Sequence, residues 1–204
     1  MIDISLHLLD LLQNSAHAGA SSISVLVVED QEHDSLEVVV KDNGVGMDER
    51  EKELALDPFY SSSPGKRVGL GLPLVLQTAQ MAGGKVSIES APGSGTKVTV
   101  QYRLSHIDRQ PLGDLASTLV SFMAGNPHVN ICFLYKGPHG EFAFDSEKAL
   151  QGIDTQYLGQ VGVICQIEEK LREGLAKAGF KPDRGGLLFE VPRGAGTHQR
   201  GNPG

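Results

Sequence analysis

Apolar residues near the start of the chain recur at intervals of three and four. Ile4, Leu8, Leu11 and Leu12 form one stripe, and the spacing predicts a helix over residues 2–18. His7, Asp10, Asn14 and His17 repeat at the same interval and are expected to share the opposite, polar face. Gly19 is placed to end the helix in a left-handed cap. The pattern then becomes β-rich over residues 23–28 and 36–41, and the polar stretch between them reads as a hairpin loop. A charged helical turn over 48–56 leads into a Ser-, Pro- and Gly-rich loop over 57–68. Gly69-Leu70-Gly71-Leu72-Pro73 opens another helix, to about Ala82, with Pro73 suited to its first turn and Gly83-Gly84 ending it. Strands over 85–90 and 97–104 follow, joined by Ala91-Pro92-Gly93-Ser94-Gly95-Thr96.

The order helix, strand, strand, helix, strand, strand predicts an α+β fold, a two-layer sandwich whose mixed sheet carries helices on one face. A smaller α+β unit is expected over 105–180. It has a helix around 112–124, a hairpin from 129–135 and 141–144, and a helix around 159–178. Gly and Pro accumulate over 181–204, and the end of that tail is expected to be disordered.

Apolar residues make up 40% of the 204, enough to build a packed core. The net charge of −7 comes from interspersed acids and bases, with no basic stripe of the kind that coats nucleic acid. Cys132 and Cys165 show no CxxC spacing and are expected to be reduced core residues. No apolar run is long enough to span a bilayer, and the start of the chain does not read as a signal peptide, so a cytoplasmic protein is expected.

Four short motifs carry chemistry. Asp10 and Asn14 stand one helical turn apart: an amide oxygen is a hard ligand suited to Mg2+, and the carboxylate can polarise a water. An ordinary solvated helix face has the same appearance. Asp42, at a strand end before Gly44 and Gly46, can accept a hydrogen bond from an exocyclic amine such as that of adenine, and the glycines let backbone approach a flat ring. A tight turn is the competing reading. Gly69, Leu70 and Gly71 at a helix start form an anion site, to which Lys66 and Arg67 add charge unless they simply solvate the surface. Thr96 closes a hairpin turn that can also set a hydroxyl beside a nucleotide.

Taken in order, these motifs resemble the gyrase, heat-shock-chaperone, histidine-kinase and mismatch-repair (GHKL) ATPase superfamily over about residues 2–104. Gln13-Asn14-Ser15-Ala16-His17-Ala18-Gly19-Ala20 looks like the Asn box in its mismatch-repair form. Asp57-Pro58-Phe59-Tyr60-Ser61-Ser62 resembles the phenylalanine box and the start of the lid in histidine kinases. The resemblance implies a Bergerat-type fold with ATP and Mg2+ as cofactors. Asn14 would bind Mg2+, Asp42 would read the adenine amine, and Gly44, Gly46 and Met47 would shape the adenine pocket. Gly69, Leu70 and Gly71 would wrap the phosphates, Thr96 would support the adenine side, and residues 61–68 would be a short lid. Asp10 stands where the hydrolysing members have a catalytic Glu, one methylene longer. His106 lies after the core, where a histidine can be a phosphorylation substrate or a structural residue, and the structural role is the expected one. The chain is also similar to stand-alone bacterial ATP-binding proteins of histidine-kinase type, which implies an unidentified protein partner such as a redox or hydrogenase-type complex. The expected function is a Mg2+-dependent ATP-binding switch with slow ATPase activity. The alternatives are a kinase acting in trans on Ser, Thr or His, and a nucleotide-binding interaction module without catalysis.

Overall fold

The computed structural model describes residues 3–57, 71–151 and 161–182. Helix α1 (Ile4–His17) starts at Asp3, whose extended backbone and side chain cap the Leu6 N–H. It ends at Gly19, which sits at φ 75°. A hairpin follows, β1 (Ser22–Asp30) and β2 (Ser35–Asp42), then the short helix α2 (Glu49–Ala55), opened by a capping box of Asp48 and Glu51. Next come α3 (Gly71–Met81), β3 (Lys85–Ser90) and β4 (Thr96–Arg103). The remaining elements are α4 (Leu115–Gly125), β5 (Asn130–Gly137), β6 (Gly140–Asp145), α5 (Ser146–Ala149) and α6 (Val161–Lys177).

All six strands join one sheet in the order β3-β4-β2-β1-β5-β6, antiparallel except where β1 and β5 run parallel. Alternation along each strand sends one set of side chains to the core. Val25 lies opposite Val40 and Phe133, and Val27 opposite Val38 and Tyr135. All six are buried. Helix α1 packs on α3 at one side and α4 at the other, and α4 packs on α6, so these four helices form a single layer. Leu8, Leu11 and Leu12 of α1, Val75 and Ala79 of α3, Leu119 and Phe122 of α4, and Leu171 of α6 fill that layer's inner side. The result is an α+β two-layer sandwich. Strands β5 and β6, from the later region of the chain, extend the sheet begun by the first hundred residues and share its core.

Two expectations about individual side chains are corrected. His7 is not on the solvent face: it is only 2% exposed, because residues 104–112 cross α1 there. The Pro111 carbonyl accepts from Ile4 N at 2.9 Å, and Gln110 Oε1 meets His7 Nε2 at 2.9 Å. The cysteines are free thiols outside the core. Cys132 lies between Ile131 and Phe133, both inward, so alternation turns it to the open face, where it is half-buried. Cys165 is exposed, off the stripe made by Ile167, Leu171 and Leu175. Asp34 closes the β1–β2 turn at φ 51° and ties it to the end of β4. Its carboxylate accepts from Arg103 Nε at 2.8 Å and Ser105 Oγ at 2.7 Å, which holds its pKa down to about 2.

Burial lowers the His7 pKa below 6.5, against the opposing pull of Gln110, Asp10 and Asp3. A histidine with a depressed folded pKa contributes stability that is fully present above its unfolded pKa of 6.5. That stability is lost as pH falls from there through the folded pKa. The urea midpoint of the wild type should therefore drop on acidification from pH ~7.5 to ~5.5, and His7→Phe should flatten that drop. Equal pH dependence in the two proteins would place the titration elsewhere.

Gly84 offers a second check. A Cβ there would lie 1.8 Å from the Gln101 carbonyl oxygen, which belongs to β4 backbone and cannot swing aside. Gly84→Ala should cost about 1–3 kcal/mol, lowering the melting temperature by ~2–4 °C for each kcal/mol. Gly125→Ala, where a Cβ meets nothing within 4 Å, should leave it unchanged or slightly raised.

Candidate nucleotide site

The site forms where β2 ends beneath α1. Asp42 is the last residue of β2 and points to the helix side, 7% exposed. Its carboxylate accepts three internal hydrogen bonds. Gly44 N and Thr96 N donate to Oδ1 at 2.9 and 3.1 Å, and the Ser15 hydroxyl donates to Oδ2 at 2.7 Å. Each carboxylate oxygen has two lone pairs, so Oδ1 is saturated and Oδ2 keeps one place for an outside donor.

Glycines make this crowding feasible. Gly95 sits at φ 76°, where a Cβ would fall 2.0 Å from the Asp42 carbonyl oxygen. Gly46 sits at φ 70°, with its phantom Cβ 2.0 Å from the Ala91 carbonyl oxygen. The two turns, 43–48 and 91–96, are therefore pressed together backbone to backbone. Gly93 N donates to Val45 O at 2.7 Å across the seam. Asn43 anchors the first turn from the other side, its Oδ1 accepting from Ser21 N and Ser22 N at 2.9 and 3.0 Å.

Sequence reasoning missed two residues here. Ser15 is the hydroxyl that ties α1 to Asp42, and it is 5% exposed. Its signal was a polar residue on the apolar stripe, three and four residues beyond Leu12 and Leu11. Ser90 accepts from Met47 N at 2.8 Å, donates to Gly95 O at 2.9 Å and meets Thr96 Oγ1 at 2.9 Å. It locks both turns together, and nothing in the local sequence marked it.

The other predicted side chains fall into place around this hub. Asp10 and Asn14 are exposed on α1, one turn apart. Gly71 opens α3 against them: a Cβ there would lie 3.4 Å from Asp10 Cβ and 3.5 Å from Asn14 Nδ2. The positive end of α3 is thus brought to the Asp10–Asn14 face. Desolvation raises the Asp10 pKa above its ordinary value although the residue as a whole meets solvent, and His7 partly opposes the shift. Met47 is half-buried within the 43–48 turn, whereas Val45 is 68% exposed at its tip. Lys66, Arg67, Gly69 and Leu70, with the phenylalanine box beyond Asp57 and the lid, lie outside the described residues. His106 packs its ring against Gly83 and lies 3.8 Å from the Asp108 carboxylate, on the turn after β4.

Comparison with known proteins places the chain in a family. Residues 2–106, just over half the chain, match the family described as histidine kinase-, DNA gyrase B-, and HSP90-like ATPase. A sensor-type histidine kinase, PrrB, from Mycobacterium leprae is 33% identical over 87 residues, 42% of this chain and 19% of its own length. The sensor histidine kinase ZraS of Klebsiella oxytoca is 32% identical over 93 residues, 45% of this chain and 20% of its own. The chain thus spans about a fifth of these relatives. Among solved structures, the mycobacterial sensor histidine kinase MprB is 27% identical, covering 47% of this chain and 66% of that one at a TM-score of 0.38. The N-terminal domain of a DNA repair protein is 18% identical, covering 70% and 52% at 0.48. No helix among the described residues is long and apolar enough to cross a membrane. On the match over residues 2–106, the chain belongs to the histidine kinase-, DNA gyrase B- and HSP90-like (GHKL) ATPase family and carries its ATP-binding domain.

Proposed function

We propose that this chain is a Mg2+-dependent ATP-binding switch with slow ATPase activity. The carrying observation is the Asp42 carboxylate: three internal donors fix it, and one lone pair of Oδ2 is left for the adenine amine. Gly44, Gly46 and Met47 line the adenine side, and Thr96 supports it by clamping Asp42 through its own N–H. The phosphates go to the start of α3 at Gly71, and by the family resemblance Gly69 and Leu70 would add backbone N–H groups and Lys66 and Arg67 positive charge, all four lying outside the described residues.

The fit to a metal rests on Asn14. Among the described residues no group of three or more His, Cys, Asp or Glu side chains is placed to hold a metal ion. An ion held by one amide needs its remaining ligands from water and phosphate oxygens, as Mg2+ takes them. When bound, Mg2+ supplies charge neutralisation at the phosphates. Asp10, one turn away with a raised pKa, is the group that accepts the proton of the attacking water. Its side chain is a methylene shorter than glutamate, which is the reason for slow turnover. A second reading, a kinase acting in trans on Ser, Thr or His, is favoured by the relatives, which are sensor kinases by name. Labelled ATP with candidate partner proteins separates the two: transfer to a partner marks the kinase, free phosphate the ATPase.

Asp42→Asn should weaken ATP binding by about one to two decades, the loss of roughly 1.5–3 kcal/mol from a hydrogen bond to a charged group. The variant also trades one acceptor for a donor facing Gly44 and Thr96, so its melting temperature should fall modestly. A folded variant with unchanged affinity by calorimetry would overturn the adenine assignment. Asn14→Ala should remove the Mg2+ dependence of binding and spare most adenosine affinity.

For Asp10, steady-state phosphate release decides. Asp10→Glu should raise turnover with little change in ATP affinity, because the carboxylate lies on the phosphate side. Asp10→Ala should lower turnover by ~10²-fold or more. Equal rates in Asp10→Ala and wild type would leave Asp10 a helix-surface residue.

A further inference from the structure

The layer of α1, α3, α4 and α6 covers one face of the sheet, and the strand register orders the other face into rows that cross the strands. The central row reads Thr99, Val39, Leu26, Leu134 and Ala143, on the neighbouring strands β4, β2, β1, β5 and β6. Leu26, Val39 and Leu134 are half-buried and Ala143 is exposed. A sheet face with an apolar row is stabilised by a second layer laid against it.

The rows on either side of this one carry charge. On one side stand Lys85, Gln101, Glu37, Val28, Lys136 and Glu141, in the strand order β3 to β6. On the other side, in the same strand order, stand Glu89, Lys97, Lys41, Ser24, Cys132 and Asp145. Within one copy Lys97 Nζ meets Glu89 at 2.7 Å, and Gln101 Nε2 donates to Glu37 at 2.7 Å. Among the described residues Lys41 and Lys85 make no ion pair, and both are exposed.

The two charged rows are complementary to each other. Let a second copy be turned over about an axis that runs along the apolar row. Each residue of that row then meets its own counterpart, and each charged row meets the other. Glu37 of one copy faces Lys41 of the second, and Lys85 faces Glu89, and symmetry repeats both pairs. The β6 edge sets Glu141 against Asp145, but both already have a lysine of their own, Lys136 at 3.7 Å and Lys148 at 3.4 Å. An axis along the strands, through the middle of the sheet, does worse. It sets Glu89 against Asp145 and leaves Glu37 and Lys41 opposite the uncharged Val28 and Ser24. Six strands about 4.8 Å apart and rows about 6.7 Å apart give a face of roughly 600 Å². Two such faces bury about 1,200 Å², the small end of stable interfaces.

We propose that the chain forms a twofold dimer through this face, with the Val39–Leu26–Leu134 row stacked on its own copy and Glu37 paired with Lys41 across the interface. The test uses the full chain without nucleotide, so it stands or falls apart from the ATPase reading. In sedimentation equilibrium the average mass should rise from monomer toward dimer with a Kd of about 1–100 µM. Lys41→Glu and Glu37→Lys each put like charges face to face and should each weaken association by ~10-fold or more. An equal mixture of the two variants restores opposite charges at both contacts and should associate as the wild type does, which loss of folding in either variant would not allow. A chain with Thr99→Cys as its only thiol should be cross-linked to a dimer by a short bis-maleimide. A chain whose only thiol is Cys165, exposed on α6, should not. A wild type that stays monomeric up to ~500 µM overturns the dimer, and so does cross-linking through Cys165 as efficient as through position 99. Single variants that associate like wild type, or a mixture of folded variants no tighter than either alone, overturn the Glu37–Lys41 pairing and the axis with it.

Discussion

The junction of α1, β2 and the 91–96 turn depends on one carboxylate. Asp42 receives a hydroxyl from the helix, an amide from its own turn and an amide from a turn fifty residues on. A buried carboxylate is costly unless its lone pairs are met, and here three donors meet them. The same bonds that make its burial tolerable also aim it. The residue proposed to read the base is thus also the one that joins the helix layer to the sheet at this end. The glycines that surround it are conditions of that junction, since any side chain at Gly46 or Gly95 would collide with backbone.

The proposed phosphate side is built differently. Asp10 and Asn14 stand on a solvent-facing strip of α1, and nothing in the described residues fixes them as Asp42 is fixed. What defines this side is the approach of α3, whose first residue has no side chain to hold it away from α1. Among the described residues, the proposed base end is held by a web of hydrogen bonds, and the proposed phosphate end is not.

Much of this was legible along the chain. The i, i+4 placement of Asp10 and Asn14 and the run Asp42-Asn43-Gly44 are local patterns, and local patterns survive folding. The strands and helices were readable for the same reason, because alternation and the 3.6-residue period are properties of short windows. What escaped were contacts whose partner is distant in sequence. Ser90 matters only because Met47, 43 residues away, brings it an N–H, and serine is too common to announce such a role. His7 reads as polar until Gln110, 103 residues later, crosses its helix. Cys132 looked apolar by its neighbours, but strand parity places it opposite to both of them. Pairing of β5 with β1 was equally hidden, since parallel partners leave no turn between them to read.

That parallel pairing has a cost in time. Strand β1 finds β2 at once through a short turn, but its other edge is matched by Asn130 and the residues after it, more than a hundred positions downstream of Ser22. At synthesis rates of about 5–20 residues per second, that edge waits on the order of 5–20 s for its partner. Meanwhile the run Val25-Leu26-Val27-Val28 presents unpaired backbone flanked by apolar side chains, the kind of edge that recruits other strands. The late strands β5 and β6 therefore act as a seal on the nascent sheet. How soon that seal arrives therefore bears on aggregation during synthesis, apart from the stability of the finished fold.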